Sequence, residues 1–311
     1  MTIVSKGAKV LLLLNRIITD TTEAVFRVLC SAVIVVLLVP SVLFADTQPI
    51  PVGRMNTPPV VDGNLDEWGA DGWNKVTVKP AMEDDKLNFV GTVDVDFKAV
   101  TSEGHIYIAA RWPDGTKDLQ YKNWVWRSNK YKRDKKLDDI FAVRFHMSGD
   151  YDTTMLSEKT YTVDVWVWTA GRSNPTGIAL DAWHHISLDL IEYAAEYELP
   201  SGKIVFIKKN KDEGTPSFHV IKPKHRKKFE GKKLPSIGAT GKASGSVADV
   251  HARGVWKDGH WHLEFKRRID IQNKDDVTFK PGMSLMGAIA VYNRSELEHK
   301  SVSGDLLFEF Q

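Results

Sequence analysis

Cysteine is almost absent from this chain of 311 residues: there is one, Cys30, and it falls in the first apolar block. With that block set aside, no disulfide is possible, nor a C-x-x-C-H attachment for a covalent c-type haem, nor a thiolate-held iron–sulfur cluster. Long apolar runs are equally scarce. Only residues 30–45 (CSAVIVVLLVPSVLFA) come near the length of a membrane span. There is no internal repeat, no G-x-x-x-x-G-K phosphate loop and no G-x-S-x-G nucleophile turn. Carboxylates are plentiful, but no spacing singles out an acid–base pair, so no catalytic residue is assigned.

A net charge is lacking too. The apolar block follows a segment carrying Lys6, Lys9, Arg16, Arg27, Asp20 and Glu23, and it ends at the small residue Ala45. That order reads as a secretory signal over residues 1–45, with an uncleaved anchor as the alternative. Setting it aside leaves 38 basic and 38 acidic side chains out of 42 and 40. A balanced chain offers no global attraction to nucleic acid or anionic lipid, and membrane contact is expected only if the anchor stays. The mature protein is expected from Asp46 onward, periplasmic or otherwise exported, as one domain over residues 46–311.

What is present is short alternating segments separated by turn residues. Residues 89–100, 105–112, 140–147, 161–168, 203–208, 260–267 and 283–292 read as strands. Lys257-Asp258-Gly259, between Trp256 and Trp261, marks a hairpin. Residues 188–199 read as a short helix, and residues 113–136 and 222–233 as polar, basic loops, the second a docking surface for an acidic subunit. About ten strands with at most one or two helices make the fold class all-β, an antiparallel β-sandwich. His184-His185 point to opposite faces of a strand with no ligand cluster around them, and read as structural or surface residues.

Three stretches carry resemblances. V-D-G-x-L-D-E-W (residues 61–68) resembles the opening of family 9 type carbohydrate-binding modules and related sandwiches. The string V-D-V-W-V-W-T-A-G-R-S-N-P-T-G from Val163, and the series G-V-W-x-D-G-x-W, F-x-R-R, D-D-V-x-F-x-P-G and K-S-V-S between Gly254 and Ser303, resemble the haem-b-binding gamma subunits of the type II dimethyl sulfoxide reductase family. Ethylbenzene dehydrogenase, chlorate and selenate reductases and nitrite oxidoreductases belong to that group. The usual V-D-x-W-H-W-K differs here at Val167 and Thr169, and Gly304 stands where a tryptophan is common.

The resemblance implies a noncovalent haem b whose iron is held by a lysine, matched here by Lys300, and by a methionine on an earlier strand. Met147 ends the apolar stripe Phe141, Val143, Phe145 and is the candidate; His146 is its competitor, and core filling is the ordinary role of such a methionine. Trp166 and Trp168 share a face that would wall a flat ligand, or equally fill a core. The implied role is electron transfer between the iron–sulfur subunit of a molybdenum oxidoreductase and a soluble cytochrome, with the molybdenum chemistry in another chain. A carbohydrate-binding module is the second reading, and a free-standing enzyme the third.

Overall fold

Alternation decides the architecture, because a strand with one apolar side must lay it against another layer. The computed structural model describes residues 47–223 and 233–311. The expected signal segment with Cys30, and most of the basic run at 222–233, lie outside the described residues. The chain runs through β1 (Gln48–Arg54), β2 (Asn74–Pro80), β3 (Val93–Ser102), β4 (His105–Pro113), β5 (Trp124–Arg127), β6 (Lys130–Arg133), β7 (Ile140–Gly149), β8 (Tyr161–Thr169), β9 (Leu180–Ser187) and β10 (Ala195–Glu198). It continues through β11 (Ile204–Lys211), β12 (Phe218–Val220), β13 (Lys233–Leu234), β14 (Ile237–Ala239), β15 (His251–Lys257), β16 (His260–Arg268), β17 (Ser284–Tyr292), β18 (Ser301–Val302) and β19 (Leu306–Phe310).

One layer has the order β10-β11-β9-β8-β7-β17, the other β18-β2-β3-β4-β16-β15. Strand β17 joins them: its first half pairs β19 and its second half β18, which in turn pairs β2. The ladders are antiparallel apart from β1, which lies parallel to both β19 and β3. This is the sandwich the alternation called for. Phe141, Val143 and Phe145 of β7 and Trp166 and Trp168 of β8 face Phe97, Trp112, Trp261 and Phe265 across the core. Aromatic edges fit aromatic faces there, as with Trp168 on Trp261 at 4.9 Å and Phe145 on Trp166 at 4.9 Å.

The β15–β16 hairpin turns where expected, with Asp258 and Gly259 at φ 51° and 77°, the left-handed pair of a tight two-residue turn. Two expectations need correction. Residues 113–136 are not only loop: β5 and β6 form a hairpin through Ser128-Asn129, at φ 53° and 60°, with Trp126 packed on Tyr131 at 5.0 Å. Residues 188–199 hold no helix; Ala195–Glu198 is an edge strand on β11. A helix that short is marginal in water without an apolar face to bury, and every residue of this strand is exposed.

One close approach fixes how β15 meets β8. The Asn174 amide binds the Gly254 backbone on both sides (N to Oδ1 2.7 Å, Nδ2 to O 3.0 Å) and accepts the Trp168 indole N–H at 3.0 Å. A Cβ on Gly254 would stand 2.8 Å from Trp168 Cε2. Gly254→Ala is therefore expected to destabilise by about 1–3 kcal/mol, the ordinary cost of overpacking, read from urea unfolding; an unchanged midpoint would mean the indole has room to shift.

Candidate functional site

Both faces of β8 are apolar, so the outer side of its layer must be covered as well as the inner. Tyr161, Val163, Val165, Ile186, Val205 and Ile207 form a second apolar cluster there, with Tyr151 and Met155 packed on it. The cover comes from residues 150–160, between β7 and β8. Arg144 donates to the carbonyls of Asp152 (3.3 Å) and Thr153, Tyr161 OH donates to Thr154 O (2.9 Å), and Lys159 Nζ donates to Tyr151 O (3.2 Å).

Under the edge of this cover lies a cavity of about 90 Å³. Its floor is small and apolar, with Ala142 of β7, Val165 of β8 and Ala288 and Ala290 of β17; its rim carries Arg144, His184, Lys209, Tyr292, Lys300 and the thioether of Met155. Lys300 enters on a rigidly held segment. Ser301 is fully buried and donates to Gly91 O while accepting from Asn88 Nδ2 (3.0 Å); Ser303 accepts the Ile289 N–H (3.1 Å); and the Lys300 carbonyl accepts from Ala81 N (2.9 Å). The two serines of K-S-V-S thus fix the backbone from which the lysine hangs. Lys300 Nζ donates to Leu297 O at 2.9 Å and sits 5.8 Å from the Tyr292 ring centre.

No carboxylate lines the cavity. Burial, then the charges of Lys209 and Arg144, pull the Lys300 amine down to about 8. Burial, then Lys209, Arg144 and Lys300, take His184 down to about 3, so its imidazole is neutral near pH 7. Burial also lowers Lys209. Cations gathered over an apolar floor, one of them an amine ready to lose its proton, are unfavourable alone. They suit a group that brings negative charge and an acceptor for the lone pair of a neutral amine.

Of the residues proposed from the sequence to hold the cofactor, Lys300 alone lines this cavity. Met147 is on the opposite side of β7, packed against the inner core beside an open groove of about 1070 Å³. Its stripe partners Phe141, Val143 and Phe145 point between the layers, so Met147 is not part of the Lys300 cavity, which Met155 lines instead. Trp166 and Trp168 are fully buried core residues on that inner side and do not line the Lys300 cavity. His146 binds Gly149 O at 3.0 Å across the end of β7. His184 is not merely structural, since it lines the cavity, while His185 binds Thr162 Oγ1 at 2.9 Å. The missed residues left one trace: His184 shares parity with Ile186, and Lys209 with Val205 and Ile207, so polar side chains continue apolar faces.

The remaining motif residues build the frame. Glu264, fully buried, accepts from Trp68 Nε1 (2.7 Å), Gly63 N (2.7 Å) and Asp62 N (3.1 Å), which ties down the whole V-D-G-x-L-D-E-W turn. Arg267 of F-x-R-R binds Asp164 (2.7 Å) and Asp276 (2.8 Å) through Nη1 and lies over Trp166 at 4.7 Å.

The family model described as ethylbenzene dehydrogenase matches residues 70–303. No curated protein sequence matches the chain. Among solved structures, a Bacteroides uniformis protein assigned as carbohydrate-binding is similar at 8% identity, covering 84% of this chain and 99% of that one, with a TM-score of 0.40. Two structures of a family 9 carbohydrate-binding module from Caldicellulosiruptor kristjanssonii are similar as well. The complex with glucose shows 9% identity, 84% and 96% coverage and a TM-score of 0.34; that with cellotriose shows 10%, 85% and 95%, and 0.35.

Proposed function

Since the chain belongs to the ethylbenzene dehydrogenase family, we propose that it is the electron-transfer subunit of a molybdenum oxidoreductase complex and carries one noncovalent haem b on the outer face of the β9-β8-β7-β17 layer. The observation that carries this reading is that Lys300, its amine held near 8, and Met155 line one cavity with an apolar floor. Lys300 and Met155 would supply donor atoms to the iron, Arg144 and Lys209 would pair with the group's carboxylates, and His184 would stay neutral beside them. The donor chemistry fits; the space, room for a few waters, does not yet admit a porphyrin. A porphyrin would be admitted only with residues 150–160, Met155 among them, further from the sheet than they lie here, where Tyr151 and Met155 pack on the outer apolar cluster.

Haem supplies a one-electron couple. The chain's part is to set its potential and exclude water. An amine ligates only when neutral, and the neighbouring cations already favour loss of the Lys300 proton. A thioether favours ferrous iron, and fixed positive charge with an apolar floor disfavours the extra charge of the ferric state, so the couple is poised high. Electrons would pass between an iron–sulfur subunit and a soluble cytochrome, outside the cytoplasm on the reading of residues 1–45 as a secretory signal.

Haemin titration of the haem-free protein tests the reading. Below about pH 8 binding must first remove the Lys300 proton. Affinity should therefore rise about tenfold per unit from pH 6 to 8 and level off above. In Lys300→Ala that slope should vanish. A pH-independent affinity in the wild type, or a colourless protein when produced with haem available, would overturn the assignment.

A further inference from the structure

Beneath the open groove on the far side of β8, carboxylates converge from separate segments. Asp164 lies on β8, Asp181 on β9, Asp212 just after β11 and Asp276 before β17; the first two are fully buried and the others 5% and 6% exposed. Oxygens of Asp164, Asp181 and Asp276 lie within 4.8 Å of one another. Arg267 satisfies one side of the cluster, binding Asp164 Oδ2 and Asp276 Oδ1. The other side has no donor. Asp164 Oδ1 and both oxygens of Asp212 are buried without a hydrogen bond, and Asp181 Oδ2, also without one, lies 3.7 Å from Arg267 Nη1. The formal charge of the group is three negative charges beyond what Arg267 neutralises.

Buried charges left unpaired cost several kcal/mol each, so something positive belongs among these oxygens. We propose that Asp164, Asp181 and Asp212, with Asp276 beside them, form a second site on this chain that binds a hard divalent cation of the calcium class. Such ions take six to eight oxygens at about 2.3–2.6 Å, so their ligand oxygens stand no more than about 5 Å apart. Asp164, Asp181 and Asp276 have that span, and Asp164 Oδ1 and the Asp212 oxygens are distinct from those facing Arg267. The groove gives the ion and its waters a way in, for Lys211 and Glu213, on either side of Asp212, and Asn273 and Asp275 all line it. Asn273 Nδ2 holds Asp276 Oδ2 at 2.9 Å. The rival arrangement is protons shared among the acids. Burial, then the nearby carboxylates, push Asp212 up to about 8 and Asp181 well above its ordinary value, which is how the cluster behaves with no ion.

The two arrangements separate cleanly in the whole exported protein. Elemental analysis should find about one calcium per chain. After chelation the thermal midpoint at pH 8 should fall and return on adding calcium chloride, and Asp212→Asn, which leaves the Arg267 pairs intact, should lose the response to calcium. Terbium emission sensitised by Trp166 and Trp183, saturable and displaced by calcium, is a second readout on the wild type and stands even if the variant fails to fold. Absence of bound metal together with no response to calcium, magnesium or terbium, while the midpoint falls as pH rises from 6 to 8, would overturn the site in favour of shared protons. A calcium response kept in full by a folded Asp212→Asn would also overturn it.

Discussion

Lys300→Ala, produced with haem available, is expected to lose the six-coordinate haem spectrum, with shifted Soret and alpha bands and haem retention through gel filtration reduced at least tenfold. That is the low end of what even outer-shell partners of a metal site contribute. The lysine has no other task that would mask the result. Its amine makes one hydrogen bond, to the nearby Leu297 carbonyl, and its backbone is held by neighbours that the substitution leaves in place. Folding should therefore survive, and the thermal midpoint of the haem-free variant should equal that of the wild type. Met155→Ala should change the spectrum in the same way and lower the potential, because the ferrous-favouring thioether is gone. Met147→Ala and His146→Ala, on residues that do not reach the cavity, should keep the wild-type spectrum. A spectrum abolished by Met147→Ala and kept by Met155→Ala would place the iron on the other side of the sheet and sink this geometry.

That choice between methionines shows what the sequence could and could not carry. The fold was legible because alternation is a backbone property: Phe141, Val143 and Phe145 had to share a face, and so did Trp166 and Trp168. Which covered face would hold the proposed haem was not legible, since β7 and β8 are buried on both. The argument that made Met147 attractive, its place at the end of an apolar stripe, is what assigns it to the inner core. Met155 sits in S-G-D-Y-D-T-T-M-L-S-E-K-T, a stretch with no period to read, and reaches the cavity only because Arg144, Tyr161 and Lys159 hold that stretch on the sheet. Lys300 was legible through K-S-V-S, and the structure gives those serines a physical task. Asp164, Arg267 and Asp276 were legible within motifs, but their convergence with Asp181 and Asp212, from three strands and two loops in all, is a tertiary fact.

Arg267→Met is expected to be the most damaging single change for stability, costing about 3–5 kcal/mol at pH 8 in the presence of chelator. Methionine matches the aliphatic stem and would still pack on Trp166 and Phe279, so the loss isolates the charge. Without the guanidinium, Asp164 and Asp276 lose their donor and no cation remains among four buried carboxylates. The sign of the pH dependence follows. Asp276 is raised to about 6 and Asp212 to about 8, both chiefly by burial, with Arg267 opposing the rise at Asp276. A carboxyl whose folded value is raised contributes stability that is fully present below its unfolded value, near 4, and is lost as pH climbs through the folded value. The wild type should thus weaken between pH 5 and 8, and Arg267→Met should weaken more steeply, because removing the arginine raises these acids further. Urea unfolding at pH 5.5 and 8 decides it: the variant's deficit should shrink at the lower pH as protons replace the missing charge. A deficit under about 1 kcal/mol that is the same at both pH values would mean the aspartates are already neutral in the wild type and the arginine is held by packing alone.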